Sequence, residues 1–235
     1  MIHDGSKTKD LRDRLLAVDL LRELKTRYTY KELSKILGLQ ESLLCRYVNG
    51  ATVPSEQQAR DLIGKVSERG FLARFFHSKI KVFPDSFIDT SELLHFPNML
   101  RILLEGHLST YNDTEKVVGI ASNGVPFATI VAMILDKPLI IVKKHKDSIY
   151  LSYVEENIKE SDSVVNSIYA RKDFISKNDK ILIVDDVLKT GKTLTSASRL
   201  IRKGGGVVTG AIVLVAKKES IASFNEVPVE VVFKL

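Results

Sequence analysis

Four aliphatic residues in unbroken succession, Ile181, Leu182, Ile183 and Val184, stand directly before two adjacent carboxylates, Asp185 and Asp186. An apolar run without alternation reads as a strand buried on both faces, the condition of a central strand in a parallel sheet, and this constrains the chain to the α/β class. Val187 and Leu188 follow, then Lys189, Thr190, Gly191, Lys192 and Thr193, ahead of a helical pattern that opens at Leu194. Open parallel sheets take ligands at the carboxyl ends of their strands, and a glycine-bearing loop that opens a helix offers free N–H groups to a phosphate. A plain polar turn after a buried strand would need neither the acid pair nor the Thr-Gly-x-Thr spacing. The stretch therefore predicts a place for a phosphorylated sugar.

This assembly resembles the phosphoribosyl pyrophosphate (PRPP) motif of type I phosphoribosyltransferases. The resemblance implies that Asp185 and Asp186 hold the two ribose hydroxyls, partly through Mg²⁺, and that the loop entered at Leu188 and running from Lys189 through Thr190, Gly191, Lys192 and Thr193 wraps the 5-phosphate. Mg²⁺ bridging sugar and phosphate oxygens through one or two carboxylates suits an ion that gives up its water reluctantly. Lys189 and Lys192 depart from the small or neutral residues usual in the enzymes, and their charge favours phosphate binding.

Two further stretches fit the same resemblance. Val117–Ala121 reads as a strand, Ser122, Asn123, Gly124, Val125 and Pro126 as a loop, and Phe127–Leu135 as a helix, similar to the family's pyrophosphate loop. Leu139–Val142 is the next buried strand and ends in Lys143, Lys144, His145 and Lys146; the resemblance implies that Lys143 and Lys144 reach PRPP oxygens. From Tyr150 to Ala170 the pattern suggests two strands joined by a mobile hairpin, the region that closes over the reacting centre in the enzymes, and no residue in it stands out as catalytic. Leu194, Ala197, Leu200 and Ile201 form a helical face ended by Gly204, Gly205 and Gly206, with strands expected over 207–215 and 229–233.

The amino-terminal part is different in kind. Leu15, Leu16, Val18, Leu20, Leu21 and Leu24 mark an amphipathic helix. A second helix is expected over about 30–37, ended by Gly38, and a third over about 40–48, stopped by Asn49-Gly50; this is helix-turn-helix spacing. Leu33, Ile36, Leu37, Leu39, Leu44 and Val48 are the expected core, and Ser55 caps a fourth helix. Gln40, Glu41, Ser42, Arg46 and Asn49 are left outside that core and, with Tyr30, are the expected DNA-binding residues, while the tail Asn49-Gly50-x-x-x-Pro54-Ser55 resembles the end of the recognition helix in Cro/Xre-type repressors. Small helical units with a glycine turn also serve as dimerisation or docking modules.

A length of 235 residues accommodates two domains, and 44% hydrophobic against 27% charged residues describes a globular chain with a real core. The net charge of +6 suits an anionic partner. Cys45 is the only cysteine, so no internal disulfide forms, and no apolar run reaches the roughly 18 residues that span a bilayer. With a polar start, the expectation is a cytoplasmic protein without membrane association.

The expected architecture is a doubly wound parallel α/β sheet of the type I phosphoribosyltransferase fold preceded by a small all-α helix-turn-helix domain: 1–68 binding DNA, 69–114 connecting helices, 115–235 binding ligand. Such a pairing resembles PRPP-responsive transcriptional regulators, the archaeal GfcR type and more distantly the bacterial purine repressor PurR. It implies a homodimer on a double-stranded operator, with PRPP or a nucleotide as effector, Mg²⁺ accompanying PRPP, and no redox cofactor. The alternative is an active orotate or purine phosphoribosyltransferase with a helical appendage. No base-recognition hood is evident in the sequence, which weighs toward the sensor.

Overall fold

The computed structural model describes residues 5–68, 71–159 and 164–235. These divide into two compact units, one made of residues up to Lys79 together with His95–Leu103, the other of Ile80–Leu94 and Leu104–Leu235. The stretch 69–114, expected as connecting helices, is thus shared between the units; its first two positions, 69 and 70, lie outside the described residues.

The helical unit contains α1 (Gly5–Lys25), α2 (Tyr30–Leu37), α3 (Glu41–Val48), α4 (Glu56–Ser67) and α5 (Phe71–His77). Each boundary has a local cause. Thr29 and Glu32 form a reciprocal capping box at the start of α2, Ser55 and Gln58 do the same for α4, and Gly38 ends α2 at φ 66°, where a side chain would be strained. Leu16, Leu20, Leu21 and Leu24 of α1 bury themselves with Leu33, Leu37, Leu44, Ala59, Leu62 and Val66. One core expectation is corrected and one core residue is added. Ile36 faces solvent, whereas Tyr47 is buried because its hydroxyl finds Gln58 Oε1 at 2.9 Å, a partner several residues away that periodicity cannot reveal. Glu23 on α1 accepts the backbone N–H groups of Asn98 and Met99 at 2.9 and 3.0 Å, capping the first turn of the helix over Pro97–Leu108 (α7).

The second unit is built on a five-stranded sheet in the order β4-β3-β7-β8-β9, parallel throughout. The strands are β3 (Lys116–Ile120), β4 (Leu139–Val142), β7 (Lys180–Leu188), β8 (Val207–Ala216) and β9 (Val229–Lys234). Helix α8 (Gly124–Leu135) crosses from β3 to β4, and α9 (Lys192–Gly204) from β7 to β8. Ile181 and Ile183 share a core with Leu194, Ala197, Leu200 and Ile201 of α9. Val184 pairs with Gly119, whose missing Cβ would stand 2.6 Å from Ala128 Cβ of α8; glycine there lets α8 lie tightly against the sheet. Both faces are covered, as an uninterrupted apolar strand requires.

Two antiparallel pairs complete the unit. β5 (Tyr153–Lys159) and β6 (Val165–Arg171) form the expected ribbon; Glu160, Ser161, Asp162 and Ser163 lie outside the described residues. β1 (Lys81–Val82) and β2 (Ile88–Asp89) form a short hairpin before a helix over Ser91–Leu94 (α6). A last short helix, α10 (Lys218–Ser223), joins β8 to β9.

Candidate functional site

The sheet decides where the acid pair stands. β7 does not end before Asp185 and Asp186: its ladder with β8 continues through Asp185 opposite Val213 to Leu188 opposite Ala216, beyond the last β3 partner at Val184. The carboxylates therefore lie within a strand that overhangs its neighbour, and the pairing of β8, itself apolar from Ala211 to Ala216, carries the chain through them. The Leu188 side chain, at the entry to the expected ligand-binding loop, is buried in the core.

Asp185 is 8% exposed, and Gly124 at the start of α8 lies against it: a Cβ on Gly124 would stand 2.7 Å from Asp185 Oδ1. Asp185 Oδ1 accepts the Asp186 N–H at 3.0 Å. Burial, and after it the neighbouring charge of Asp186, push the Asp185 carboxyl well above the ordinary carboxylate range. Asp186 is half-buried and its Oδ2 accepts the Thr90 hydroxyl at 3.1 Å. Ser122 and Asn123 are exposed beside Gly124, so the loop after β3 and the acid pair of β7 share one end of the sheet.

The second loop is braced from below. Gly191 has φ 73°, in the left-handed region, and begins α9; its absent Cβ would lie 2.5 Å from Phe224 Cδ2. Ser220 Oγ donates to the Lys189 carbonyl at 2.6 Å. Lys189, Thr190 and Lys192 remain exposed and Thr193 half-exposed, an arrangement open to an anion at a helix start. Beside it lies a cavity of about 490 Å³ whose walls include Thr190, Lys192, Thr195 and Arg199 from the α9 side and Glu156 and Asn157 from β5. Sequence reading named none of the β5 pair, because Glu156 sits on the apolar face of the ribbon between the buried Val154 and Ile158, a signal visible only once the register is known.

The basic cluster is arranged differently from the expectation. Lys143 Nζ is held by both oxygens of Asp147 at 2.9 Å, and its backbone bridges to Tyr169, while Lys144 is simply exposed. The hairpin of β1 and β2 was not legible at all. Phe83 and Phe87 are 46% and 50% exposed there and, with Pro84, Asp85 and Asp89, line a cavity of about 440 Å³. The chain runs from Asp89 directly into Thr90, so the strand that ends this hairpin leads to the residue bonded to Asp186.

Among the described residues, no group of three or more His, Cys, Asp or Glu side chains is gathered to hold a metal by protein ligands alone. Two adjacent carboxylates beside a glycine cradle do fit Mg²⁺, which completes its shell with substrate oxygens and water.

The phosphoribosyl transferase domain family matches residues 89–232, more than half of the chain. An orotate phosphoribosyltransferase of Methanothermobacter thermautotrophicus is 28% identical over 167 residues, covering 70% of this chain and 83% of the relative. An adenine phosphoribosyltransferase of Actinobacillus pleuropneumoniae is 30% identical over 174 residues, covering 63% and 92%. The solved adenine phosphoribosyltransferase of Rhodothermus marinus superposes with a TM-score of 0.61 at 28% identity, covering 70% of this chain and 98% of that one.

These relatives overturn the expectation of a PRPP-sensing, DNA-binding transcriptional regulator, for they are named as orotate and adenine transferases. The helix, glycine turn and helix are present, but the regulatory reading rested on their spacing, on the polar residues facing outward and on the lack of an evident base-recognition hood. Gln40, Glu41, Ser42, Arg46 and Asn49 are exposed and Tyr30 half-exposed under the Lys25 ammonium, 4.9 Å from the ring centroid. Exposed polar residues of these types are equally what any solvent-facing helix carries. Among the described residues, no helix is long and apolar enough to cross a membrane.

Proposed function

The chain belongs to the phosphoribosyl transferase domain family, and from that premise we propose that it is an active enzyme that moves the 5-phosphoribosyl group of PRPP onto a nucleobase nitrogen with release of pyrophosphate. The observation that carries this reading is the convergence of three elements at one end of the sheet: the Asp185–Asp186 pair, the Gly124 loop against it and the Gly191 loop that opens α9.

The residues divide the task. Backbone N–H groups of Lys189–Thr193, with the Thr190 and Thr193 hydroxyls, bind the 5-phosphate; Asp185 and Asp186 take the ribose hydroxyls; the Ser122–Gly124 loop takes the diphosphate. The base nitrogen forms its bond to ribose C1 as the C1–O bond to pyrophosphate breaks, the electron pair leaving with pyrophosphate and the N–H proton of the base passing to solvent. Asp185 and Asp186 would hold Mg²⁺, which would supply positive charge to offset the negative charge developing on the leaving diphosphate. Thr90 fixes the Asp186 carboxylate, so its lone pairs point in one direction before substrate arrives.

Phe83 and Phe87 offer exposed apolar faces on the hairpin whose last strand runs into Thr90, the residue bonded to Asp186, and the base attached to the ribose is assigned to these faces. Asp85 and Asp89 share that wall, and Asp89 is held below the ordinary carboxylate range by the Ser91 N–H, hence charged at neutral pH. Carboxylates repel the orotate anion and accept hydrogen bonds from an exocyclic amine, which favours an aminopurine. Orotate is the second reading, supported by the name of one relative.

The test is pyrophosphate release from PRPP and Mg²⁺ with adenine, guanine, hypoxanthine and orotate in turn. Release with adenine at an ordinary enzymatic rate, ~1 s⁻¹ or more, is the expected result. Absence of release with every base would overturn the reading.

A further inference from the structure

Within the helical unit, most of which lies outside the family match, a cleft of about 320 Å³ is walled by Arg27, Tyr28, Phe71, Arg74, Phe75 and Lys79. We propose that this cleft is a second binding site, for a mononucleotide: a single phosphate on a flat heteroaromatic ring.

The floor is aromatic. The Tyr28 and Phe71 rings lie 6.1 Å apart at 41°, and Phe71 and Phe75 lie 6.4 Å apart, stacked at 21°. Three such rings in succession form a surface against which a further planar ring stacks, each contact being worth more than its area alone.

The walls are cationic and uncompensated. Among the described residues, neither Arg27, Arg74 nor Lys79 forms an ion pair with a carboxylate, and no acidic side chain lines the cleft. Lys79 Nζ lies 4.7 and 5.1 Å from the Phe75 and Phe96 centroids, and the Arg27 guanidinium lies 5.6 Å over Phe96, so two of the three charges rest on ring faces and keep their N–H donors for something else. Elsewhere on this surface the arginines find acids: Arg22 pairs with Asp19, and Arg60 with Glu56. Guanidinium groups beside aromatic rings meet both halves of a nucleotide, the phosphate by forked hydrogen bonds and the base by stacking.

Size narrows the occupant. About 320 Å³ lies at the small end of the roughly 300–1,000 Å³ range of ligand pockets, enough for one nucleotide and too little for a peptide helix. That the nucleotide be the product of the chain's own reaction rests on the function proposed above; that the cleft takes a nucleotide does not.

Calorimetric titration of the full chain with AMP and UMP tests this. Two sites per chain are expected for at least one of them, falling to one when Asp185→Asn and Asp186→Asn disable the sheet site. Arg27→Ala with Arg74→Ala, both exposed positions, is expected to weaken the remaining site at least tenfold while the circular dichroism spectrum is unchanged, and higher salt is expected to weaken it further. If a loss of helical signal shows that the double variant misfolds, Arg74→Lys, which keeps charge but loses the fork, gives the smaller weakening. A single site that vanishes with the acid pair overturns the proposal, as does binding of a single-stranded oligonucleotide with no mononucleotide binding. If no base supports pyrophosphate release yet the arginine-dependent site persists, the transferase reading fails and the cleft stands.

Discussion

The Thr90 hydroxyl donates to Asp186 Oδ2 at 3.1 Å across 96 positions of the chain. It joins the end of the aromatic hairpin to the acid pair, the two features that a base and its ribose would occupy at once. Thr90 is only 3% exposed, so its donor has no competing water. Thr90→Val keeps the shape and removes the donor. It is expected to raise KM for PRPP by about tenfold, the worth of one hydrogen bond to a charged group, with Thr90→Ser restoring most of it. Steady-state kinetics at saturating base reads this directly, and an unchanged KM would remove Thr90 from the site.

Asp185 predicts an unusual pH dependence of stability. Its folded pKa is raised, by burial first and by Asp186 next, so the native state holds this proton more tightly than the unfolded chain does. The native state then binds more protons, and the contribution to stability, full below the ordinary value of 3.8, is lost as the pH rises through the higher folded value. Asp185→Asn mimics the protonated form and is expected to abolish that loss, leaving the variant no less stable than the parent in metal-free buffer at neutral pH. PRPP-dependent activity should nonetheless fall by a hundredfold or more, since the amide cannot replace the carboxylate toward ribose and Mg²⁺. Urea melts at several pH values, paired with activity, test both halves.

Gly191→Ala is strained twice, by a φ of 73° and by a new Cβ 2.5 Å from Phe224. The expected cost is about 1–3 kcal/mol in urea unfolding, with a larger proportional loss in PRPP affinity because the loop itself is displaced. Adding Phe224→Leu relieves the clash but not the dihedral, so it should recover part of the stability. Full recovery would mean that the turn conformation imposes no requirement for glycine.

Phe87→Ala probes the base wall. With half of its surface already exposed, Phe87 contributes little to folding, and the melting temperature should move by only a few degrees. KM for the base is expected to rise tenfold or more while KM for PRPP stays within twofold, in keeping with about 0.5–1.5 kcal/mol for an aromatic contact and the apolar area beneath it. Equal effects on both would place the ring outside the base site.

What was legible in the chain follows from how each segment is buried. Ile181–Val184 announces itself because both its faces are covered, and α2 and α4 announce themselves because Thr29 and Ser55 cap them locally. The continuation of β7 through two carboxylates was hidden, since only its register with Val213–Ala216 sustains it. β1 and β2 have two residues each, too few for any alternation, and Phe83 and Phe87 in the turn between them face outward. That left the base wall invisible and tipped the functional reading toward a sensor. Lys143 was legible as a cation but not as the partner of Asp147, which lies in a loop with no repeating pattern. The helix, turn and helix of α2 and α3 were read correctly as geometry, but geometry of that kind carries no chemistry of its own.

The brace beneath the phosphate loop comes from Ser220 and Phe224, which follow that loop in chain order. During synthesis Lys189–Thr193 therefore leaves the ribosome before the segment that supports it. The loop thus gains its fixed form only once the residues after β8 have folded back beneath it.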